Sequence, residues 1–145
     1  MSTTTTPAFE DLEVGASAPA LVIENLSRTH FVRYAGASGD FNPMHHDDTV
    51  ATQAGMPSVF GHGMLTAGLL ARVLKDWLGP EALCRFQVRF AKQVWPGDTL
   101  TCTATVTALR EDGGEALADL DCQVTNQNGE PVVTGSATAA VPKRA

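Results

Sequence analysis

The stretch Tyr34-Ala-Gly-Ala-Ser-Gly-Asp-Phe-Asn-Pro-Met-His-His-Asp-Asp is dense in groups that can move protons. Asp40 and His45 stand five residues apart with Pro43 between them. The proline has no amide hydrogen and biases Asn42 away from helix, so residues 40–45 are expected to form an irregular, extended turn. Such a turn can converge a carboxylate and an imidazole on one water. The carboxylate then accepts a proton, and the imidazole holds the water or donates a proton. The same residue types also serve turns, caps and solvated surface, so the spacing alone leaves both uses open. Asp47 or Asp48 suits the cap of a short helix ending near Gly55.

A second segment, Phe60-Gly61-His62-Gly63-Met64-Leu65, opens a strongly apolar run. The first amides of a helix have no acceptor within it, and the helix dipole adds partial positive charge there. Glycine lets a ligand approach such amides closely, which is how an enolate oxygen can be stabilised away from water. A tight turn into the helix is the plainer use of Gly61 and Gly63 and stands beside that reading.

Both segments need a frame. Met64 to Leu78 places Leu65, Leu69, Val73 and Trp77 on one helical row and Leu70, Leu74 and Leu78 on the next. Only Arg72, Lys75 and Asp76 form a charged patch, while Ala67, Gly68 and Ala71 are small enough for close backbone approach. Gly79-Pro80 stops the helix. A helix apolar over most of its girth is expected to be buried.

The second half of the chain alternates with period two. Threonine fills every odd position from 99 to 107, against Leu100, Cys102, Ala104, Val106 and Ala108. Ala118, Leu120, Cys122 and Val124 repeat the pattern, as do Val133, Gly135, Ala137, Ala139 and Val141. Strands with one packed face follow. Glu-Asp-Gly-Gly at 111–114 and Asn-Gln-Asn-Gly at 126–129 turn them. A further strand over about residues 83–94 ends at Trp95-Pro96-Gly97-Asp98. The expected whole is an α+β domain in which an antiparallel meander wraps one buried helix. Residues 1–8 form a tail, 9–145 the domain, and Pro142 to Ala145 a second loose end.

Composition narrows the function classes. The chain has 145 residues, 43% hydrophobic and 18% charged, with a net charge of −6. That sign argues against non-specific binding to nucleic acid or a membrane surface. No run reaches the roughly 20 apolar residues of a membrane span, and the N-terminus lacks the features of a secretory signal. The three cysteines, Cys84, Cys102 and Cys122, show no CxxC spacing, so buried reduced thiols of a cytoplasmic protein are expected rather than a zinc site. No metal-ligand spacing links His30, His45 and His62, and no metal or other cofactor is expected.

Taken together, Tyr34-(x)3-Ser38-Gly39-Asp40-Phe41-Asn42-Pro43-Met44-His45 and His62-Gly63-Met64 closely resemble the MaoC-like, R-specific enoyl-CoA hydratases. The likeness extends to actinobacterial hydroxyacyl-ACP dehydratases of fatty-acid elongation and covers most of the chain. Phe90-(x)4-Trp95-Pro96-Gly97-Asp98-Thr99-Leu100 resembles a strand and turn common among hot-dog proteins. The resemblance implies a hot-dog fold, a curved antiparallel sheet around a long central helix, and a homodimer or a heterodimer with another hot-dog chain. It assigns Asp40 and His45 as the dyad that activates water and the Gly63 amide as the group that polarises a thioester carbonyl. Asn42, which also holds the loop, and Ala71 and Leu74 of the central helix are expected along the substrate. Coenzyme A or an acyl carrier protein enters as part of that substrate. His46 is read as surface, and Arg85 and Arg89 with Gln87 as a solvated outer face that could instead meet phosphates or an acidic carrier. A non-catalytic subunit of a heterodimer remains an alternative. A thioesterase fits less well, because Asp76 is the helix's only carboxylate and lies near its far end.

Overall fold

The computed structural model describes residues 5–145. Its elements run β1 (Leu21–Ile23), α1 (Arg28–Ser38), α2 (Asp48–Gln53), α3 (Gly63–Leu78), β2 (Leu83–Phe90), β3 (Leu100–Asp112), β4 (Glu115–Thr125) and β5 (Pro131–Ala140). Short 3-10 turns occupy Phe9–Asp11 and Pro43–His45. All strands join one five-stranded antiparallel sheet in the order β1-β3-β4-β5-β2, and α3 packs against it.

The period-two pattern sets the inner face. Leu100, Cys102, Ala104 and Val106 are buried while the threonines between them stay partly open. A bulge between Val106 and Ala108 then shifts the phase. Leu109 turns toward the core and pairs with Ala118, so Ala108, expected inward, is only half-buried. Gly113 and Gly114, at φ 58° and 86°, make the two-residue left-handed turn that joins β3 to β4.

Only β3, β4 and β5 form a meander. β2 pairs with β5 at the opposite edge from β1 and stops at Phe90 rather than near Val94. After it, Gly97 N–H donates to the Leu26 carbonyl and Leu26 N–H to the Asp98 carbonyl, both at 2.7 Å. Those bonds carry the chain to the β1 side of the sheet before β3 begins. Gly135 permits the β2 to β5 pairing, since a Cβ there would run into the Gln87 carbonyl.

Both β1 and α1 go beyond the expected elements. α1 buries only Phe31 and Ala35, one turn apart, so its apolar stripe is narrow. Its ends carry the usual signals: Ser27 N–H donates to His30 Nδ1 at 2.9 Å, and Gly39 closes it at φ 77°. α3 departs from full burial. Thr66, Ala67, Leu70, Val73, Leu74 and Leu78 face the core, whereas Met64, Gly68, Arg72, Lys75 and Asp76 are exposed. Rows of leucine fill one side, and the sheet covers that side alone.

Cys102 and Cys122 are buried as expected, and burial pushes both thiols up to about 11. Cys84 is exposed, contrary to expectation. It falls where the β2 register slips between Leu83 and Arg85, so it leaves the strand's alternation. The ends of the chain are also tied more than composition suggests. Phe9 N–H donates to the Pro142 carbonyl and Arg144 N–H to Glu10, both at 2.9 Å, and the Arg144 guanidinium pairs with Asp11. Residues 1–4 of the expected tail lie outside the described residues. No helix among those described is long and apolar enough to cross a membrane.

Candidate active site

Pro43 opens a single 3-10 turn, so the loop is tighter than the extended turn expected. Asn42 caps it: its side-chain oxygen accepts from Met44 N–H at 3.1 Å, and its carbonyl accepts from His45 N–H at 3.0 Å. Asp40 Oδ1 accepts from Asn42 N–H at 3.2 Å, which leaves Oδ2 free of that bond. Asp47 then caps α2, accepting from Thr49 and Val50 amides, and Gly55 follows at φ 87°.

This turn sends His45 inward and leaves Asp40 at the surface: their side chains are 11% and 51% exposed. His45 Nδ1 lies 2.7 Å from the Phe60 carbonyl. A carbonyl only accepts, so Nδ1 carries the hydrogen and Nε2 faces Asp40, 3.9 Å from Oδ2. One water oxygen can bond to both atoms across that gap. The Phe60 ring backs His45 edge-on at a centroid distance of 5.1 Å, and Trp95 in turn packs edge-on against Phe60.

Gly63 opens α3 immediately after His62, and its amide is among those the helix cannot satisfy. A Cβ at Gly63 would lie 3.0 Å from the Phe90 ring, so only glycine fits without moving that ring. Phe60, Gly61, Gly63, Thr66, Phe90 and Val94 help line a cavity of about 220 Å³ at this helix entrance.

The structure thus brings Asp40, Asn42 and His45 onto one loop and sets Gly63 beside Phe60, whose carbonyl holds His45. Leu74 is only 1% exposed within the core and Ala71 is half-buried; neither lines the cavity at Gly63, where Thr66 supplies the helix wall. His46 is exposed. Arg85, Gln87 and Arg89 are exposed on the outer side of β2, and Arg85 donates to Gln87 at 2.8 Å.

One residue was given too small a part by its spacing. His62, read only as the helix entrance, is 2% exposed and stacks on His45 with ring centroids 3.8 Å apart. Its Nε2 lies 3.1 Å from the Asp40 carbonyl, and burial lowers its pKa. Its separation of 22 residues from Asp40 hides this contact from local spacing; the signal was a histidine between two glycines at a helix start. Asp40, His45 and His62 each offer one ligand atom within 4.8 Å of the others. Each imidazole, however, spends one nitrogen on a carbonyl, and stacked rings aim their in-plane lone pairs side by side rather than at one point. That arrangement favours handling a proton over gripping a cation.

A five-stranded sheet around α3 is the hot-dog fold, of the α+β class. The chain belongs to the MaoC-like family: residues 13–128 match the family described as MaoC like domain. It is similar to the (R)-specific enoyl-CoA hydratase of Rhodospirillum rubrum, 36% identical over 138 residues that cover 94% of this chain and 92% of that protein. Among solved structures, the (R)-hydratase from Aeromonas caviae involved in PHA biosynthesis superposes with a TM-score of 0.82 and 32% identity, covering 92% of this chain and 99% of that one. The ChsH1-ChsH2 complex from Mycobacterium tuberculosis gives a TM-score of 0.77 at 29% identity, covering 89% and 98%.

Proposed function

We propose that this protein is a hydro-lyase that adds water to trans-2-enoyl thioesters, giving (3R)-3-hydroxyacyl thioesters, and catalyses the reverse dehydration. The observation that carries the reading is the 3.9 Å gap between Asp40 Oδ2 and His45 Nε2 beside the entrance of α3. The (R)-specific hydratases it resembles along nearly their whole length support the substrate class and the stereochemistry.

The thioester carbonyl sits at the Gly63 amide. Asp40 takes a proton from the water held between it and His45 as the water oxygen attacks C3. The electron pair of the C2–C3 double bond moves toward the carbonyl, and the charge that collects on its oxygen faces the amide. The proton passes through the dyad to C2, with His45 as partner in the relay. Hydroxide and proton therefore add from one face, and no group is left over. Dehydration runs the same steps backward.

A second copy of this chain completes the site in this reading. Phe41, Met64 and Phe90 are 64%, 58% and 50% exposed, and each adjoins Asp40 or Gly63. β2 is also an edge strand with an open side. Large apolar side chains beside a proton-transfer site invite cover by a partner, and cover would dry the pocket. The substrate's carrier is coenzyme A or an acyl carrier protein, and Asn42 borders it as well as holding the loop. The working place assigned to such a protein is the cytoplasm.

The decisive measurement is the loss of enoyl ultraviolet absorbance when the purified protein meets crotonyl-CoA, with sedimentation to read its mass. Wild-type turnover that Asp40→Asn abolishes supports the reading. No turnover by wild type, on longer enoyl-CoAs and carrier-bound substrates as well, overturns it in favour of a non-catalytic subunit of a heterodimer; one similar solved structure is a complex of two different proteins.

A further inference from the structure

We infer that His62 is a positioning residue for the dyad: its buried ring ties the Asp40 main chain and the His45 ring to the start of the central helix. This rests on the hydratase reading above for its catalytic consequence.

Asp40 is otherwise weakly anchored. Its amide donates to Ser38 Oγ at 3.1 Å and its carboxylate accepts from the Asn42 amide at 3.2 Å, both two residues away. Among the described hydrogen bonds, the one from His62 Nε2 to the Asp40 carbonyl is the one that joins Asp40 to another part of the fold. The carbonyl accepts, so Nε2 carries the hydrogen. His62 is the residue before α3, the longest helix, and it is 2% exposed, so the anchor itself is fixed.

The same ring meets the other member of the pair. His62 and His45 stack with centroids 3.8 Å apart and planes 30° from parallel. Tyr34 closes edge-on against His62 from α1 at 4.8 Å, while Phe60 and then Trp95 continue the row beyond His45. The imidazole of His45 is therefore gripped between an aromatic backing and His62. Burial pushes the pKa of His62 down and so favours its neutral form.

The other nitrogen argues that this is more than packing. With Nε2 as donor, Nδ1 is a bare acceptor, and it is buried with no hydrogen-bond partner. An unpaired buried acceptor weakens a fold. An apolar ring at this position would avoid that cost, so a purely structural side chain here gains nothing from being histidine. The gain lies in the bond to Asp40.

Two substitutions separate the cases. His62→Phe keeps a flat ring and removes the donor; His62→Gln restores an N–H at a similar reach. The expected result is that His62→Phe melts at or above the wild-type temperature while kcat falls roughly ten- to a hundred-fold, because a small misplacement of reacting groups costs that much. KM should stay within about threefold, since the interaction lost is not one with the substrate. His62→Gln should recover most of kcat. Wild-type kcat in His62→Phe, or equal losses in both variants that track lost folding, would overturn the inference. Nitrogen-15 spectra of the Phe41 amide decide the matter without turnover. The Phe41 amide nitrogen, bonded to the Asp40 carbonyl that His62 holds, should move in His62→Phe and stay near its wild-type position in His62→Gln, which keeps the donor. A Phe41 amide displaced alike in both variants, or in neither, would overturn it. Absence of wild-type turnover sinks the hydratase reading and leaves these spectra to judge His62.

Discussion

Oδ2 of Asp40 stands 3.9 Å from Nε2 of His45, and the other nitrogen of that imidazole is held by the Phe60 carbonyl at 2.7 Å. The two facing atoms are too far apart for a direct hydrogen bond and close enough to share one water. Their burial is unequal: the imidazole is enclosed and the carboxylate is half open. His45 is therefore the fixed member of the pair, and Asp40 is the member that substrate or a partner can adjust.

Asp40→Asn keeps the shape of the side chain and an oxygen for the Asn42 amide, but removes the base. The expected loss in kcat is roughly 100- to 10,000-fold, the usual share of a general base. Thermal melting should barely change, because the carboxylate is exposed and its one described bond within the loop survives. A crotonyl-CoA assay and a melting curve on the same preparation check both halves.

Gly63→Ala sets a methyl against the Phe90 ring, at 3.0 and 3.1 Å from two of its carbons. Phe90 is half exposed, so the ring swings rather than the helix shifting, and stability changes little. The displaced ring and the methyl then crowd the amide, and kcat/KM should fall by about the ~100-fold typical of a lost oxyanion donor. Adding Phe90→Ala removes the displaced ring and should return part of that loss. A double variant no better than Gly63→Ala would show that Phe90 plays no part.

Leu74→Ala tests whether that residue touches substrate or only packs. Buried at 1% exposure among the core residues, it should destabilise the protein by about 2–5 kcal/mol. The order of preference among enoyl-CoAs of different length should stay as in wild type. A changed order in the folded variant would restore Leu74 to the substrate wall.

The thiols should divide by position. Cys102 and Cys122 are buried and pushed up to about 11, so neither offers thiolate near neutrality. Cys84 is exposed. Titration with a thiol reagent at about pH 8 should count one fast group in the native protein and three after denaturation.

Arg110 donates to both carboxylate oxygens of Asp119, at 2.8 and 3.3 Å, and Thr138 donates at 2.8 Å. These bonds, Arg110 first, hold the carboxyl below its ordinary range. A depressed carboxylate pKa stabilises the fold above the unfolded value of 3.8 and loses that contribution as pH falls through the folded value. Asp119→Asn should therefore melt below wild type at neutral pH, and the two curves should converge as pH drops below about 4. A gap that keeps its size well below pH 4 would mean that charge is not its source.

The sequence by itself determined whatever depends on neighbours along the chain. Alternating threonines and apolar residues set the inner face of β3, because successive strand side chains point to opposite faces. Gly113-Gly114 set its turn, the leucine rows and Gly79 set α3, and Pro43 with Asn42 set a loop able to carry Asp40 and His45. The family likeness was legible in those same residues. The tertiary structure alone decided how distant pieces meet. Strand periodicity carries no partner choice, so it could not send β2 across to β5, nor foresee the bulge that turns Leu109 inward. Cys84 is exposed by a register slip at the pairing of two strands far apart in sequence. An apolar helix does not say how much of its girth a sheet will cover, which left Met64 in the open. The meeting of His62 with Asp40 and His45 arises only when α3 docks, because spacing along a chain reports who lies a turn away and says nothing of who is folded back against whom.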